Sequence, residues 1–297
     1  MKNLKDLVIR TAQVGSSRYG FIYACDPERE KREEPHTYIF GWDNNEIELV
    51  ESDYDAHSLC VMEHPKAGLV NISEEGWYTA NFTDGRGICE DLFTHTTPPP
   101  KTRRVRGLRS VRAIDGWAHA IGIRGMAYRL DKPNLWTRID DGLPDTFNGQ
   151  AIHGFGLSNL FAVGRAGQIW HFNGKEWQQE NTPTNRNMYA VVCAPDGTVY
   201  VGGNSGMLLR GGPGQWSIIE QAETGSDIWD LDWFADKLYV STLNGLFTLE
   251  NDRLQPVNYG KHTVSSTYQL SVRKGVMWSN GEREIMEFDG ETWTRIV

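Results

Sequence analysis

Val163-Gly-Arg-Ala-Gly-Gln-Ile-Trp-His-Phe-Asn-Gly-Lys-Glu-Trp177 is the stretch that decides the fold. It joins an apolar run, a short turn closed by glycine, a second apolar run, an Asn-Gly turn and a tryptophan. The glycine recurs at Gly125, Gly167, Gly206 and Gly245, with spacings of 42, 39 and 39 residues. The tryptophan recurs at Trp136, Trp177 and Trp216, is replaced by Leu254 in one unit, and returns at Trp293. A period near 40 residues with strand-like contents predicts a β-propeller.

The clearest repeat unit, residues 185–222, predicts one four-stranded antiparallel blade. Its short β-branched and aromatic runs are separated by Gly, Pro, Asn and Asp, as in the turn Pro195-Asp-Gly197. The same template predicts an all-β, seven-bladed propeller that forms a single domain over residues 1–297. The predicted blades are 7–51, 57–93, 105–144, 147–184, 185–222, 226–260 and 263–297. Six blades is the alternative if the less regular N-terminal unit does not form one.

The first and last units each have a distinguishing feature. An acidic-basic insertion, Asp26 to Glu34, interrupts the second and third predicted strands of the first blade. The last unit supplies four strands of its own up to Val297, so we expect no N-terminal strand to complete it. The first and last blades would then meet through their packed faces.

The composition favours a soluble, acidic protein. A net charge of −9 and a pI near 5.4 make non-specific nucleic-acid binding a poor expectation and favour a basic partner. No apolar run approaches the roughly 18 residues of a membrane span, and Asp6 interrupts the position where a signal peptide would be apolar. Free thiols are expected at the four cysteines, which form no CxxC pair: Cys25, Cys60, Cys89 and Cys193. We expect a cytoplasmic protein, monomeric by itself and not bound to membranes.

The order strand, Gly-x-x-Gly, strand, Asn/Asp-Gly-x-x-Trp in residues 163–177 resembles the bacterial YVTN/BNR-like and WD40-like propeller families. The resemblance covers residues 105–297 closely and 1–104 loosely, and it implies the fold. WD40 repeats end a strand with Trp-Asp, whereas the tryptophan here opens the fourth strand. The sialidase-type box Ser-x-Asp-x-Gly-x-x-Trp is half present, as Phe288-Asp-Gly-Glu-Thr-Trp293. The resemblance therefore implies no functional residue in this chain.

The turns between the second and third predicted strands are short and carry polar tips. These tips are Arg124, Arg165, Asn204 and Asn244. One interpretation makes them hydrogen-bond donors to an anionic or carbonyl-rich ligand, with Arg124 and Arg165 as candidate binding residues. The other is that these residue types are simply tolerated in tight turns, Asn because it accepts positive φ.

Carboxylates recur at the boundaries between predicted blades. They are Asp53, Asp55, Asp140, Asp141, Asp145, Glu220, Glu223 and Asp227. Because these positions recur in register, we expect them to gather on one face around the central channel. Trp229, Asp230 and Asp232 would add an aromatic edge to that face. A negative face with an exposed tryptophan suits a basic protein partner, although ordinary loop polarity explains the same carboxylates equally well.

Catalytic and metal-binding motifs are missing from the sequence. Four histidines lie near blade boundaries without HxH or HxxxH spacing: His57, His95, His153 and His262. There is no GxSxG nucleophile motif, no Walker loop and no dinucleotide-binding GxGxxG after a strand. We therefore predict no catalytic residue, no metal and no cofactor.

One cluster of positive charge stands out, Lys101-Thr-Arg-Arg-Val-Arg-Gly-Leu-Arg-Ser-Val-Arg112. It is either a contact for phosphate or an acidic partner, or a linker that leads into a strand with outward cations. Interleaved Val105, Leu108 and Val111 favour the strand. Without aromatic side chains for base stacking, the cluster does not favour nucleic acid.

These observations predict a non-catalytic propeller that binds a basic protein partner through its acidic face. By analogy with bacterial single-propeller proteins that block a cognate toxin, one expected role is an immunity protein that neutralises a basic, nuclease-type toxin. The alternative is a metal-dependent hydrolase or lactonase with calcium or zinc held by His and Asp at the channel mouth. A sugar-binding lectin would stack its ligand on the repeated tryptophans, but packing between blades explains those tryptophans better.

Overall fold

The structure of the chain is a computed structural model that describes residues 3–44, 46–98 and 107–297. Residues 101–106 of the basic cluster lie outside the described residues, which include the cluster from Gly107 to Arg112. Within the described residues, consecutive strands form seven antiparallel sheets of four strands each, one of which gains a fifth strand at its edge. The fold is a seven-bladed β-propeller, as the repeat predicted.

The strands follow one another blade by blade. Blade 1 contains β1 (Val8–Ser16), β2 (Tyr19–Cys25), β3 (Thr37–Asp43) and β4 (Glu46–Ser52). Blade 2 contains β5 (Ser58–Met62), β6 (Gly68–Ile72), β7 (Trp77–Phe82) and β8 (Gly87–Asp91). A short strand, β9 (Thr96–Thr97), precedes blade 3, which contains β10 (Leu108–Ile114), β11 (Trp117–Gly122), β12 (Ala127–Lys132) and β13 (Leu135–Arg138).

The remaining blades follow the same order. Blade 4 contains β14 (Gly149–Gly156), β15 (Asn159–Gly164), β16 (Ile169–Phe172) and β17 (Trp177–Gln179). Blade 5 contains β18 (Met188–Cys193), β19 (Val199–Gly203), β20 (Leu208–Gly212) and β21 (Gln215–Ile218). Blade 6 contains β22 (Ile228–Phe234), β23 (Lys237–Thr242), β24 (Gly245–Glu250) and β25 (Arg253–Pro256). Blade 7 contains β26 (Gln269–Arg273), β27 (Val276–Asn280), β28 (Ile285–Phe288) and β29 (Trp293–Arg295).

Two elements depart from the repeated meander. The predicted insertion in blade 1 forms a short helix, α1 (Pro27–Lys31), whose first turn is capped by the Asp26 side chain. β9 pairs in parallel with β13 and covers the outer edge of blade 3, a feature that the repeat did not predict. An outer strand covered in this way no longer presents unpaired backbone groups along the length of the contact.

The chain divides into two compact units, Met1–Ala56 with Ile219–Val297, and His57–Ile218. The first unit holds blades 1, 6 and 7. Among the described residues, blade 7 consists of β26 to β29 alone, and no N-terminal strand pairs with it. Blade 1 instead packs against it with its face: the Trp42 and Trp278 rings lie 5.8 Å apart at 71°, and Ile9 N–H donates to the Glu282 carbonyl at 2.8 Å.

The second unit holds blades 2 to 5, and the repeated tryptophans join its blades. The Trp136 ring lies 5.7 Å from that of Tyr78 in blade 2, edge to face. Trp177 Nε1 donates to the Ile139 carbonyl at 2.5 Å, and Trp216 Nε1 donates to Glu180 at 3.3 Å. Each tryptophan thus contacts the blade or loop before its own. Packing between blades is the structural role of these side chains, as the sequence indicated.

The repeated glycine has a backbone reason in three of its four positions. Gly125, Gly167 and Gly206 adopt φ of +66°, +70° and +70°, which side chains with a Cβ rarely tolerate. At Gly167 a Cβ would also collide with the Thr184 backbone oxygen. Gly245 has no positive φ and no close neighbour, because blade 6 replaces the turn with a two-residue hairpin between β23 and β24. The fourth member therefore recurs in sequence and not in structure.

Candidate functional site

The predicted binding residues lie at one end of their blades. Antiparallel strand order places the loop that enters a blade and the turn between its second and third strands at the same end of the sheet. We call this end the entry end. The candidates occupy the entry ends of blades 3 and 4, in one compact unit, and of blade 6, in the other.

The carboxylates that enter blade 4 are largely engaged within the chain. Asp140 is buried and accepts from the Arg138 guanidinium at 2.9 Å, in an ion pair whose side chains are only 11% and 7% exposed. Asp145 lies 3.7 Å from Arg124, with both side chains exposed. Asp141 is exposed, and its backbone carbonyl accepts from Trp177 N–H at 2.7 Å. Most of the negative charge of this loop is therefore neutralised by the arginines beside it.

The two candidate arginines lie at neighbouring turn tips. Arg124 has a left-handed φ of 56° in the turn of blade 3, and its partner is Asp145. Arg165 begins the turn of blade 4, where its side chain is exposed and its backbone N–H donates to the Asn148 carbonyl at 3.3 Å. Turn geometry thus accounts for the backbone of both residues, and the Arg165 guanidinium extends to the surface.

The loop that enters blade 6, residues 219–227, has a different electrostatic character. Glu220 and Glu223 are exposed, and neither forms an ion pair with a cation among the described residues. The loop is closed by its own hydrogen bonds: Gln221 Nε2 donates to the Thr224 carbonyl at 2.9 Å, and Thr224 N–H donates to Gln221 Oε1 at 3.1 Å. Its negative charge consequently stays at the surface.

Asp230 and Asp232 serve the backbone of the sheet. Asp230 accepts from Leu231 N–H and from Leu270 N–H in blade 7, both at 2.9 Å. Asp232 is buried and accepts from Trp233 N–H at 2.9 Å. A carboxylate that accepts hydrogen bonds from backbone amides stabilises the folded structure. At blade 6, the carboxylates that remain for the predicted acidic face are therefore those that precede Asp230 and Asp232.

Trp229 occupies a β-bulge that the sequence reading missed. β22 and β23 pair at Ile228–Thr242 and next at Asp230–Ser241, so the register shifts at Trp229. Its side chain is 45% exposed, whereas Ile228 and Leu231 are fully buried. A bulge redirects the side chain of the extra residue, and this one turns a tryptophan toward solvent at the entry end of blade 6.

The same bulge recurs at the start of the first strand in other blades of the described chain. The bulged residues are Arg10, Arg109, Gln150, Tyr189 and Trp229. Its signal in the sequence is a pair of buried residues at i and i+3, such as Ile228 and Leu231, which breaks the two-residue alternation of a strand. One position is thus reused from blade to blade to present different side chains. Arg109 holds Glu74 at 2.9 Å, whereas Trp229 remains open to solvent.

Two of the histidines near the blade boundaries have partners within the chain. His153 Nδ1 accepts from Cys193 N–H at 3.1 Å, and burial together with Arg112 holds the pKa of this imidazole well below its ordinary value. His95 Nε2 lies 3.1 Å from Glu90. Among residues 3–44, 46–98 and 107–297, no three His, Cys, Asp or Glu side chains form a group that could hold a metal ion. The hydrolase alternative therefore has no candidate ligand set in this part of the chain.

The helices in the described part of the chain lack the length and apolar character needed to cross a bilayer.

Comparison with known structures defines the class of the protein. No family model matches the chain. It is similar in fold to a structure of YCF48 bound to a D1 peptide, with a TM-score of 0.68, 14% identity, and coverage of 97% of this chain and 93% of that chain. It is also similar to the WD40 propeller domain of Doa1, with a TM-score of 0.68, 10% identity, and coverage of 99% and 94%. At these identities the comparisons show the fold alone, which is that of a repeat propeller.

A comparison with curated proteins identifies the family. The immune protein Tsi7 of Pseudomonas aeruginosa is 40% identical over 289 residues, which span 93% of this chain and 92% of Tsi7. The chain therefore belongs to the family of the immune protein Tsi7.

Proposed function

We propose that this chain is a bacterial immunity protein that neutralises a protein toxin by binding it, without catalysing a reaction. The observation that carries the proposal is its 40% identity with the immune protein Tsi7 along nearly the whole of both chains. Neutralisation by binding requires a stable surface and no reactive group. A rigid repeat propeller with a negative, partly aromatic entry end supplies such a surface.

We further propose that the toxin is basic. The chain has a net charge of −9, and Glu220 and Glu223 at the entry end of blade 6 form no ion pair with a cation among the described residues. Opposite charge accelerates encounter between proteins and fixes their orientation, and it does so most strongly at low salt. A nuclease-type toxin fits because proteins that bind phosphate backbones are themselves positively charged.

We also propose that the protein is a cytoplasmic monomer before it binds the toxin. The four cysteines are free, and the Cys89 side chain is exposed, which is compatible with a reducing compartment. Cell fractionation and size-exclusion chromatography of the purified chain test these two statements. Recovery in the periplasm, or elution at twice the mass of the chain, would contradict them.

The direct test uses the bacterium that encodes the chain. A strain without the gene is expected to lose viability in mixed culture with its parent, and a wild-type copy is expected to restore survival. In parallel, tagged protein captured from the parent at low and moderate salt should retain one basic protein at near-equal stoichiometry. A deletion strain that survives as well as its parent, together with an empty capture, would overturn the proposal.

A further inference from the structure

We propose that the entry end of blade 6 is the docking surface, and that it takes a segment of the partner in which Lys or Arg side chains surround an apolar one. The surface, called the blade-6 patch, consists of Glu220, Glu223, Asp227, Trp229 and Leu243. The inference rests on the proposed function, because it names the surface and the partner chemistry that this function would use.

Apart from Leu243, the patch lies in a segment that is rich in carboxylates and has no basic residue. Residues 211–236 contain six carboxylates and no Lys, Arg or His. The nearest cation that follows, Lys237, lies at the opposite end of the blade, where its Nζ contacts Glu250 at 2.6 Å. Glu220 and Glu223 are exposed and form no ion pair among the described residues. Negative charge of this kind favours a positively charged partner, and desolvating it against an acidic partner would be strongly unfavourable.

Two exposed apolar side chains lie beside these carboxylates. Trp229 and Leu243 are each 45% exposed, and both are large hydrophobic side chains at the entry end of one sheet. Leu243 directly follows Thr242, which pairs with Ile228, so it lies level with Asp227. An aromatic anchor with an aliphatic neighbour and a polar rim is the composition of an interface hot spot.

Hydrogen bonds hold the patch in a fixed conformation. Asn244 Nδ2 donates to Ser226 Oγ at 3.0 Å and ties the turn beside Leu243 to the acidic loop. Thr267 N–H donates to the Leu243 carbonyl at 3.3 Å, and Thr267 Oγ1 donates to the Thr242 carbonyl at 2.7 Å. A surface held in this way loses little conformational entropy when it binds, so more of the contact energy appears as affinity.

The other bulge positions are less suited to anchor the partner. Arg10 and Arg109 are engaged in ion pairs with Glu30 and Glu74. Trp229 combines the bulge geometry and a side-chain type enriched in hot spots with the exposed carboxylates of Glu220 and Glu223 nearby.

The test compares patch variants with matched controls in the survival assay. Copies that encode Trp229→Ala, Leu243→Lys or the double change E220Q/E223Q are introduced into the deletion strain. Phe155→Ala is the aromatic control, because Phe155 is 41% exposed near the far end of β14. Asp236→Asn is the carboxylate control, because Asp236 is exposed in the turn between β22 and β23, at the far end of the same blade. We expect the controls to restore survival like the wild type, and W229A and L243K to fail.

Affinity for the protein recovered in the capture gives the magnitude. W229A is expected to weaken binding by about 30-fold or more, as truncation of a hot-spot tryptophan does. E220Q/E223Q is expected to weaken it a few-fold at low salt and less at high salt, because rim charges act mainly on association. L243K adds a cation to the acidic surface and remains informative if W229A proves unstable.

The outcomes separate the two proposals. If the wild-type copy does not restore survival, the proposed function fails and this inference fails with it. If the wild type restores survival and W229A and L243K restore it equally, the function stands and the blade-6 patch is not the docking surface. Equal melting temperatures of wild type and variants exclude misfolding as the cause of any loss.

Discussion

The loop that enters blade 4 (residues 139–148) and the loop that enters blade 6 (residues 219–227) occupy equivalent places in their blades and carry three carboxylates each. The first loop directs Asp140 and Asp145 at Arg138 and Arg124. The second leaves Glu220 and Glu223 without cations among the described residues. Recurrence of acid at a blade boundary therefore does not by itself mark a binding face, because neutralised charge holds the fold together while uncompensated charge remains for a partner.

The largest expected effect is at the buried ion pair of the first loop. Asp140→Asn leaves the Arg138 guanidinium, only 7% exposed, without its anionic partner, and should lower the free energy of unfolding by about 3 kcal/mol. Urea denaturation measures this directly. Asp141→Asn removes an exposed carboxylate one residue away and should change stability by less than about 0.5 kcal/mol. Equal urea midpoints for D140N and D141N would mean that the pair does not stabilise the loop.

A second prediction concerns the stability of the blades beside the first loop, which should depend on pH through a buried neutral histidine. His119 is fully buried, and its Nε2 has no hydrogen-bond partner. Burial lowers the pKa of this imidazole to about 4, against 6.5 in the unfolded chain. Between these two values the unfolded chain holds a proton that the folded chain lacks. Stability therefore falls as pH decreases through this window, by about 3 kcal/mol in total from this group.

His119→Leu removes the titrating group and fills most of its volume. Stability measured by urea denaturation from pH 7 to pH 4 should then depend less on pH than in the wild type, even if the variant is less stable at pH 7 through loss of the 2.8 Å contact between Nδ1 and the Trp117 carbonyl. An unchanged slope would show that other groups cause the acid sensitivity.

The sequence predicted the elements of the fold closely, because their signals are local. The seven four-stranded antiparallel blades predicted from the repeat are observed. Gly167 and Trp177 repeat because each blade needs a left-handed turn and a large side chain that reaches the preceding blade. β9 was not predicted, since two threonines carry no strand signal until the edge of blade 3 is there to pair with them.

The site was less predictable, because its character depends on pairing between distant residues. Nothing in the sequence distinguishes Asp145, whose partner Arg124 lies 21 positions earlier, from Glu223, which has none among the described cations. The exposure of Trp229 follows from a register shift, and a strand reading without a partner strand assigns no register. Which of the predicted residues bind a partner remains a prediction that the survival assay addresses.

A third prediction compares the space around one glycine in each of the two loops. Gly142 in the first loop has φ of +94°, and a Cβ there would collide with the Trp177 backbone oxygen. Gly142→Ala should therefore lower stability by about 2 kcal/mol. Gly225 in the second loop has open space around its Cβ position and no positive φ, so Gly225→Ala should change stability by less than about 0.5 kcal/mol. Thermal unfolding of the pair would contradict the contrast if both alanines had the same effect.

The smallest effects should differ in sign between the loops. Asp145→Asn removes an exposed ion pair with Arg124, and should lower stability by less than about 0.5 kcal/mol. Glu223→Gln removes one of several like charges without a cation beside it, and should raise stability by a similarly small amount. Both changes should disappear at high salt, because exposed charges are screened. Melting curves at low and high salt measure the two signs, and a loss of stability in E223Q at low salt would show that its carboxylate is neutralised after all.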